Sequence, residues 1–141
     1  VGRKGGKLSG IRPDDLAALV LKDLVARLKV DPAEIEDVIL GCVDQLGEQG
    51  FNIARNAALI AGLPVEVCGT TLDRMCGSGL QAIVNAAQEI ALGDAEVVLA
   101  GGIENMDQAL ARAGGGKRDQ GRHAAEAVLA MTRLREQLAA G

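Results

Sequence analysis

The stretch Leu72-Asp73-Arg74-Met75-Cys76-Gly77-Ser78-Gly79-Leu80 decides how this chain reads. Before it, Glu66 to Asp73 carries Val67, Thr70, Thr71 and Leu72, residues that favour pleated backbone. After it, Leu80, Ile83, Val84, Ala87 and Ile90 recur at helical spacing until Gly93 closes the helix. A strand therefore feeds a helix through a short turn. Gly77 and Gly79 remove side chains where such a turn would crowd, the logic of a nucleophile elbow.

Cys76 sits at that junction. A thiol at a helix N-terminus meets unpaired N–H groups and the positive end of the helix dipole, and both favour thiolate. The same N–H groups can stabilise the oxyanion that forms when a thioester carbonyl is attacked. Cys76 is thus placed as a covalent nucleophile for acyl transfer. The competing reading is a buried structural cysteine beside a glycine-rich turn.

The same alternation extends outward. Residues 13–29 predict an amphipathic helix: Pro13 suits the first position, Asp14 and Asp15 suit the positive end, and Leu16, Leu19, Val20, Leu24 and Leu28 form the apolar face. Asp31 caps a short turn opened by Pro32. Val38 to Val43 is a continuous apolar run, the mark of a strand covered on both faces. Gln45 to Gly50 is a polar loop, and a helix over 52–61 ends at Gly62 with Pro64 beyond. Ala95 to Ala100 reads as a buried strand ending at Gly101-Gly102. Helices alternating with strands predict an α/β layered domain with mostly parallel pairing and right-handed crossovers. Past Met106 the pattern changes: a helical extension over 107–113, the break Gly114-Gly115-Gly116, and a last helix over 123–139.

A length of 141 residues, 48% hydrophobic and 24% charged, suits one soluble globular domain. With 15 basic against 19 acidic residues there is no basic face to predict, so neither nucleic acid nor an anionic membrane is expected as partner. One Phe and no Tyr or Trp exclude the usual base-stacking platform. No apolar run approaches the roughly 18 residues of a membrane span. The polar start lacks the apolar stretch of a signal peptide, and three cysteines do not make a complete disulfide set, so a cytoplasmic protein is expected. Neither metal-ligand spacing nor a phosphate-binding glycine motif is present, so no metal and no bound cofactor are expected. Cys42 and Cys68 read as packing residues within strands; Cys68 is also near enough in sequence to Cys76 for a redox pair.

Several segments together carry a resemblance. They are Arg12-Pro13-Asp14-Asp15-Leu16-Ala17-Ala18, Asp37-Val38-Ile39-Leu40-Gly41, Asn52-Ile53-Ala54-Arg55 and Ala61-Gly62-Leu63-Pro64. To these add Arg74 to Ala82 around Cys76, Gly93 to Gly102, and Glu104 with Met106. In this order, from Arg12 to Met106, the chain resembles the N-terminal half of a thiolase (acetyl-CoA acetyltransferase or 3-oxoacyl-CoA thiolase), with wording most similar to the thiolases that cleave 3-oxoadipyl-CoA.

The resemblance implies a layered thiolase-like α/β fold, incomplete here, with a mostly parallel mixed sheet and covering helices. Residues 1–106 would be a partial N-terminal domain whose first strand precedes Val1, and 107–141 an unmatched glycine-rich linker and helix. It assigns Cys76 the nucleophile role, with its backbone N–H as an oxyanion donor, and makes acyl-CoA and acetyl-CoA thioesters the substrates. Homodimers are implied, with the strand at Glu66–Asp73 in the contact. The family's base histidine and second cysteine belong to its C-terminal half. His123, the one histidine, lies past the matched part without the family's Gly-His-Pro setting. Other readings remain open: a ketoacyl-synthase-like condensing enzyme, a catalytically incomplete module that only folds or pairs, and a thiol sensor acting through Cys76 oxidation.

Overall fold

The computed structural model describes Leu8 and residues 10–103. Helix α1 spans Pro13–Leu28, strand β1 Asp37–Cys42, helix α2 Ile53–Ile60, strand β2 Cys68–Leu72, helix α3 Ser78–Leu92 and strand β3 Val98–Ile103. Short 3-10 turns at Pro32–Glu34 and Gly47–Gln49 fill the connections. The helices over 107–113 and 123–139, the boundary at Met106 and His123 lie outside the described residues.

The three strands form one sheet in the order β2-β1-β3, and each pairing is parallel. The chain moves from β1 to β2 through α2, then back across β1 to β3 through α3. Crossovers of one hand that run in opposite directions put their helices on opposite faces. The packing obeys this. Val38 and Leu40 of β1 meet α1 and α2 on one face, while Ile39 between them meets Ala82 and Ala86 of α3 on the other.

The elements begin and end as their residues dictate, with instructive exceptions. Pro13 opens α1 and Lys29, at φ 54°, ends it. The Asp31 carboxylate accepts from Ala33 N–H at 3.0 Å, and Gly93, at φ 79°, closes α3. The buried stripe of α1 is Ala18, Leu21, Leu24 and Val25, whereas Leu19 and Val20 stand 60% and 59% exposed. The apolar residues of α1 extend around more than one face, and the stripe that fits the sheet includes alanine, which a leucine-led pattern passes over.

β3 does not stop at its glycines. Gly101 and Gly102 pair with Leu40 and Gly41, so the strand continues to Ile103 and starts later, at Val98. β2 is shorter than the β-prone run around it because residues 65–66 form a turn held by Val67 N–H donating to Pro64 O at 3.2 Å. None of the helices among the described residues is long and apolar enough to cross a membrane.

Candidate active site at the strand-to-helix turn

The parallel strands bring their carboxyl ends, Cys42, Leu72 and Ile103, to one edge of the sheet. From the neighbours β1 and β2 the chain leaves toward helices on opposite faces, the place where open parallel sheets take their ligands. Cys76 lies there, exposed, in the turn between β2 and α3.

Backbone and short side chains build the turn. Asp73 Oδ1 accepts from Met75 N–H at 2.7 Å. Gly77 N–H donates to Arg74 O and Ser78 N–H to Met75 O, each at 3.0 Å. Gln81 N–H then donates to Gly77 O at 2.9 Å as the helix takes over. The left-handed position belongs to Met75, at φ 51°, rather than to a glycine. For an L-residue with a side chain that conformation costs about 1–2 kcal/mol, so the surrounding bonds must hold it.

The glycines answer a different demand from the one the turn suggests. A Cβ on Gly41 would lie 2.5 Å from Gly79 N and closer still to the Ser78 carbonyl. A Cβ on Gly79 would come within 3.3 Å of Gly102 Cα, and one on Gly102 within 3.0 Å of Gly79 Cα. The first turn of α3 therefore rests directly on β1 and β3, and Gly41, Gly79 and Gly102 form that contact. Gly77 is less constrained, since its Cβ would meet only Arg74 O, at 3.3 Å.

A clasp on the other face fixes β2. Asn52, at φ 67°, caps α2 by accepting from Arg55 N–H, and its Nδ2 donates to Gly69 O at 2.6 Å. Thr71 Oγ1 donates to Asn52 Oδ1 at 2.8 Å and accepts from Ala54 N–H at 3.1 Å. Arg55 donates to Val65 O at 2.9 Å and also to Val67 O. The Asn52–Arg55 motif thus aligns the strand that leads into the turn.

The other cysteines divide. Cys42 is buried at the end of β1, where Gln49 Nε2 donates to its sulfur at 3.2 Å and its thiol faces Asp44 O at 3.6 Å. It is the packing residue the sequence predicts. Cys68 is not: it is exposed at the start of β2, an outer strand of the described sheet. It cannot serve as redox partner to Cys76 either. Cys68 pairs with Asp37 at one end of the sheet, while the turn bearing Cys76 packs on Gly41, whose partner is Leu72 at the other. Leu72 alone is about 13 Å from Cys68 at roughly 3.3 Å per residue, and a disulfide needs Cα atoms within about 7 Å.

Perturbed carboxyls lie away from the turn. The Arg12 guanidinium, hydrogen-bonded to Asp14 at 2.7 and 3.0 Å, holds the Asp14 carboxyl below the usual range. Burial pushes Asp37 up against the pull of the Val38 N–H, and burial followed by the charges of Asp37 and Asp94 pushes Glu89 up. Among the described residues no cluster of three or more His, Cys, Asp or Glu is placed to hold a metal ion. Sequence reasoning singled out Cys76 and its glycines but passed over Asp73, Ser78 and Gly41. A serine two residues after the cysteine and a glycine inside an apolar strand run are the signals that mark the last two.

Comparison with known proteins gives this arrangement a family. The sequence model "Thiolase, N-terminal domain" matches residues 1–139. A beta-ketoadipyl-CoA thiolase of Escherichia coli is 53% identical over 110 residues, which are 77% of this chain and 27% of that protein. A steroid 3-ketoacyl-CoA thiolase of Mycobacterium tuberculosis is 54% identical over 108 residues, 77% of this chain and 26% of its own length. The crystal structure of the Bacillus anthracis acetyl-CoA acetyltransferase superposes with a TM-score of 0.69 at 48% identity, covering 74% of this chain and 26% of that one. The chain thus spans about a quarter of the length of the curated relatives it matches. On the family match and these identities, the chain belongs to the thiolase family and matches its N-terminal part.

Proposed function

We propose that this chain supplies the acyl-accepting nucleophile of a thiolase-type acyltransferase acting on 3-oxoacyl-CoA and acetyl-CoA. The observation that carries the reading is the exposed Cys76 thiol in a braced turn at the start of the 15-residue helix α3, at the carboxyl edge of a parallel sheet. In the thiolytic direction the Cys76 thiolate attacks the oxo carbon, and the oxyanion is met by the Cys76 backbone N–H. The carbon–carbon bond beside it breaks, and its electron pair leaves with acetyl-CoA, which takes up a proton. A CoA thiolate then attacks the acyl-cysteine, and Cys76 leaves as thiolate. Condensation is the reverse. CoA is a substrate here, and no resident cofactor enters the scheme.

The names of the relatives, a beta-ketoadipyl-CoA thiolase and a steroid 3-ketoacyl-CoA thiolase, favour breakdown of 3-oxoacyl-CoA thioesters as the setting. Carbon–carbon bond chemistry also needs a base within hydrogen-bonding reach of the second thioester. No histidine is among the described residues, and the relatives are nearly four times longer than the matched stretch. The 141-residue chain alone is accordingly expected to acylate slowly at Cys76 without turnover. Pairing of two copies along β2, whose Cys68 and Thr70 are exposed, and a reducing, cytoplasmic setting complete the reading. Incubation with acetyl-CoA should add one acetyl group by intact mass, at Cys76 by peptide mapping, and Cys76→Ala should abolish it. Acetylation at Cys68 instead, or none, refutes the assignment. Light scattering on the same sample reads the dimer, which Thr70→Lys should weaken; a monomer in both would refute the pairing.

A further inference from the structure

We propose that Ser78, together with Asp73, is the positioning pair for Cys76: it locks the left-handed Met75 peptide and so sets where the thiol points. The inference rests on Cys76 being the nucleophile proposed above. Ser78 is buried, at 4% exposure, although it is polar and lies on the first turn of a helix. Its hydroxyl accepts from Arg74 N–H at 2.8 Å and donates to Met75 O at 2.6 Å. The single hydroxyl proton goes to the shorter partner, and Asp73 Oδ1, 3.4 Å away, is left to accept the Met75 N–H. Ser78 and Asp73 therefore engage the donor of residue 74 and both backbone groups of residue 75, the residues that lead into Cys76.

The anchor of this latch is the sheet. The backbone of Ser78 and Gly79 lies on Gly41 and Gly102 with no room for a Cβ between them, so the serine cannot drift with the turn it holds. The path of force runs from β1 and β3 through Ser78 to residues 74 and 75, and from there to Cys76. A serine that merely capped α3 would bond forward into the helix, accepting from an N–H two or three residues on; this one bonds backward, across the cysteine.

The test is run in a Thr70→Lys background, which keeps the β2 edge unpaired, and uses the exposed Cys68 as an internal reference in the 141-residue chain. Iodoacetamide labelling is followed by peptide mapping and reported as the Cys76:Cys68 rate ratio, with thermal melting alongside. Ser78→Ala should lower the ratio about five- to tenfold without exposing Cys42 to labelling. Ser78→Thr, which keeps the hydroxyl, should recover most of it. Asp73 is exposed, so Asp73→Ala will fold even where Ser78→Ala does not, and it should lower the ratio about threefold. Removing a carboxylate near a thiol favours thiolate and would raise the ratio if charge were the whole effect. Asp73→Asn keeps the acceptor oxygen and should restore it.

A ratio unchanged in Ser78→Ala or Asp73→Ala, or an Asp73→Asn loss as deep as that of Asp73→Ala, overturns the latch. The Cys76 reading fails on different data, the absence of acetyl transfer from acetyl-CoA to wild-type Cys76, and the alkylation ratio decides the latch in either event.

Discussion

The two faces of the sheet are held in different ways. On one, α1 and α2 bury Leu21, Leu24, Val25, Ile35, Val38, Leu40 and Leu99 with alanines between them, a core that works by volume. On the other, α3 buries Ala82 and Ala86 against Ile39, with Leu72, Val98 and Ala100 partly buried around them, and its Leu80 and Leu92 remain 68% and 77% exposed. Here closeness replaces volume: glycine meets glycine, and helix backbone rests on strand backbone. Leaving out side chains costs hydrophobic stabilisation, at roughly 25 cal/mol per Å² of apolar area not buried. What it gains is a short, stiff path between the sheet and the Cys76 turn. The same strand serves both ends, with Val38 and Leu40 turned to the first face and Ile39 and Gly41 to the second.

If this contrast holds, one added methyl on the second face should do more harm than several methyls removed from the first. Gly41→Ala puts a Cβ against the Ser78 carbonyl and Gly79 N, backbone atoms that cannot swing aside. Overpacking costs typically about 1–3 kcal/mol, and two backbones in collision place this site at about 3 kcal/mol or above. The Cys76:Cys68 labelling ratio should fall with it. A urea midpoint within error of wild type would mean that α3 is free to slide and that closeness is not what holds it.

Leu21→Ala probes the other face. Leu21 is 6% exposed in the main cluster, and leucine truncation there should cost about 2–3 kcal/mol, toward the low end of the usual range because the site borders solvent. The labelling ratio should not move under conditions where the variant is folded. A Leu21→Ala chain that loses stability and Cys76 selectivity together would show that the two faces act as one unit.

The same contrast explains what the sequence revealed. Volume-based packing leaves local marks: Pro13 and Gly93 at helix ends, the apolar run of β1, and the alternation that places strands and helices in order. So does the turn, where cysteine and glycines are adjacent in the chain. Contacts made by absent side chains leave none. Gly41 reads as one more small residue in an apolar run, and Gly102 reads as part of a stop, because the partners that need them, Ser78 and Gly79, are distant in sequence. Leu19 and Val20 matched a helical pattern whose buried side was decided by α2 and the sheet. Cys68 looked like core until β2 proved to be an outer strand of the described sheet.

The smallest effect lies where β1 begins and the far part of α3 comes near it. Asp37 and Glu89 both have carboxyls pushed above the usual range, by burial first and, for Glu89, by the charges of Asp37 and Asp94. Folding therefore favours their protonated forms. The stability they contribute is present at about pH 4 and below, and it is lost as pH rises through their raised values, after which the curve is level. Asp14 acts in the opposite sense: its carboxyl is held low by Arg12, so its contribution is full at neutral pH and is lost as pH falls below the ordinary carboxylate range. The two trends leave a shallow optimum on the acid side of neutrality. Asp37→Asn keeps an oxygen for the Val38 N–H and removes the charge, so it should raise Tm at pH 7 and flatten the limb above the optimum. Both groups are partly open to water, which screens their charges. Since 1 kcal/mol moves the Tm of a chain near 150 residues by roughly 2–4 °C, the gain should be no more than about 1–2 °C. A Tm that climbs steadily from pH 4 to 7 in wild type, with Asp37→Asn superimposable on it, would remove this strain from the second face and leave the glycine floor as its only cost.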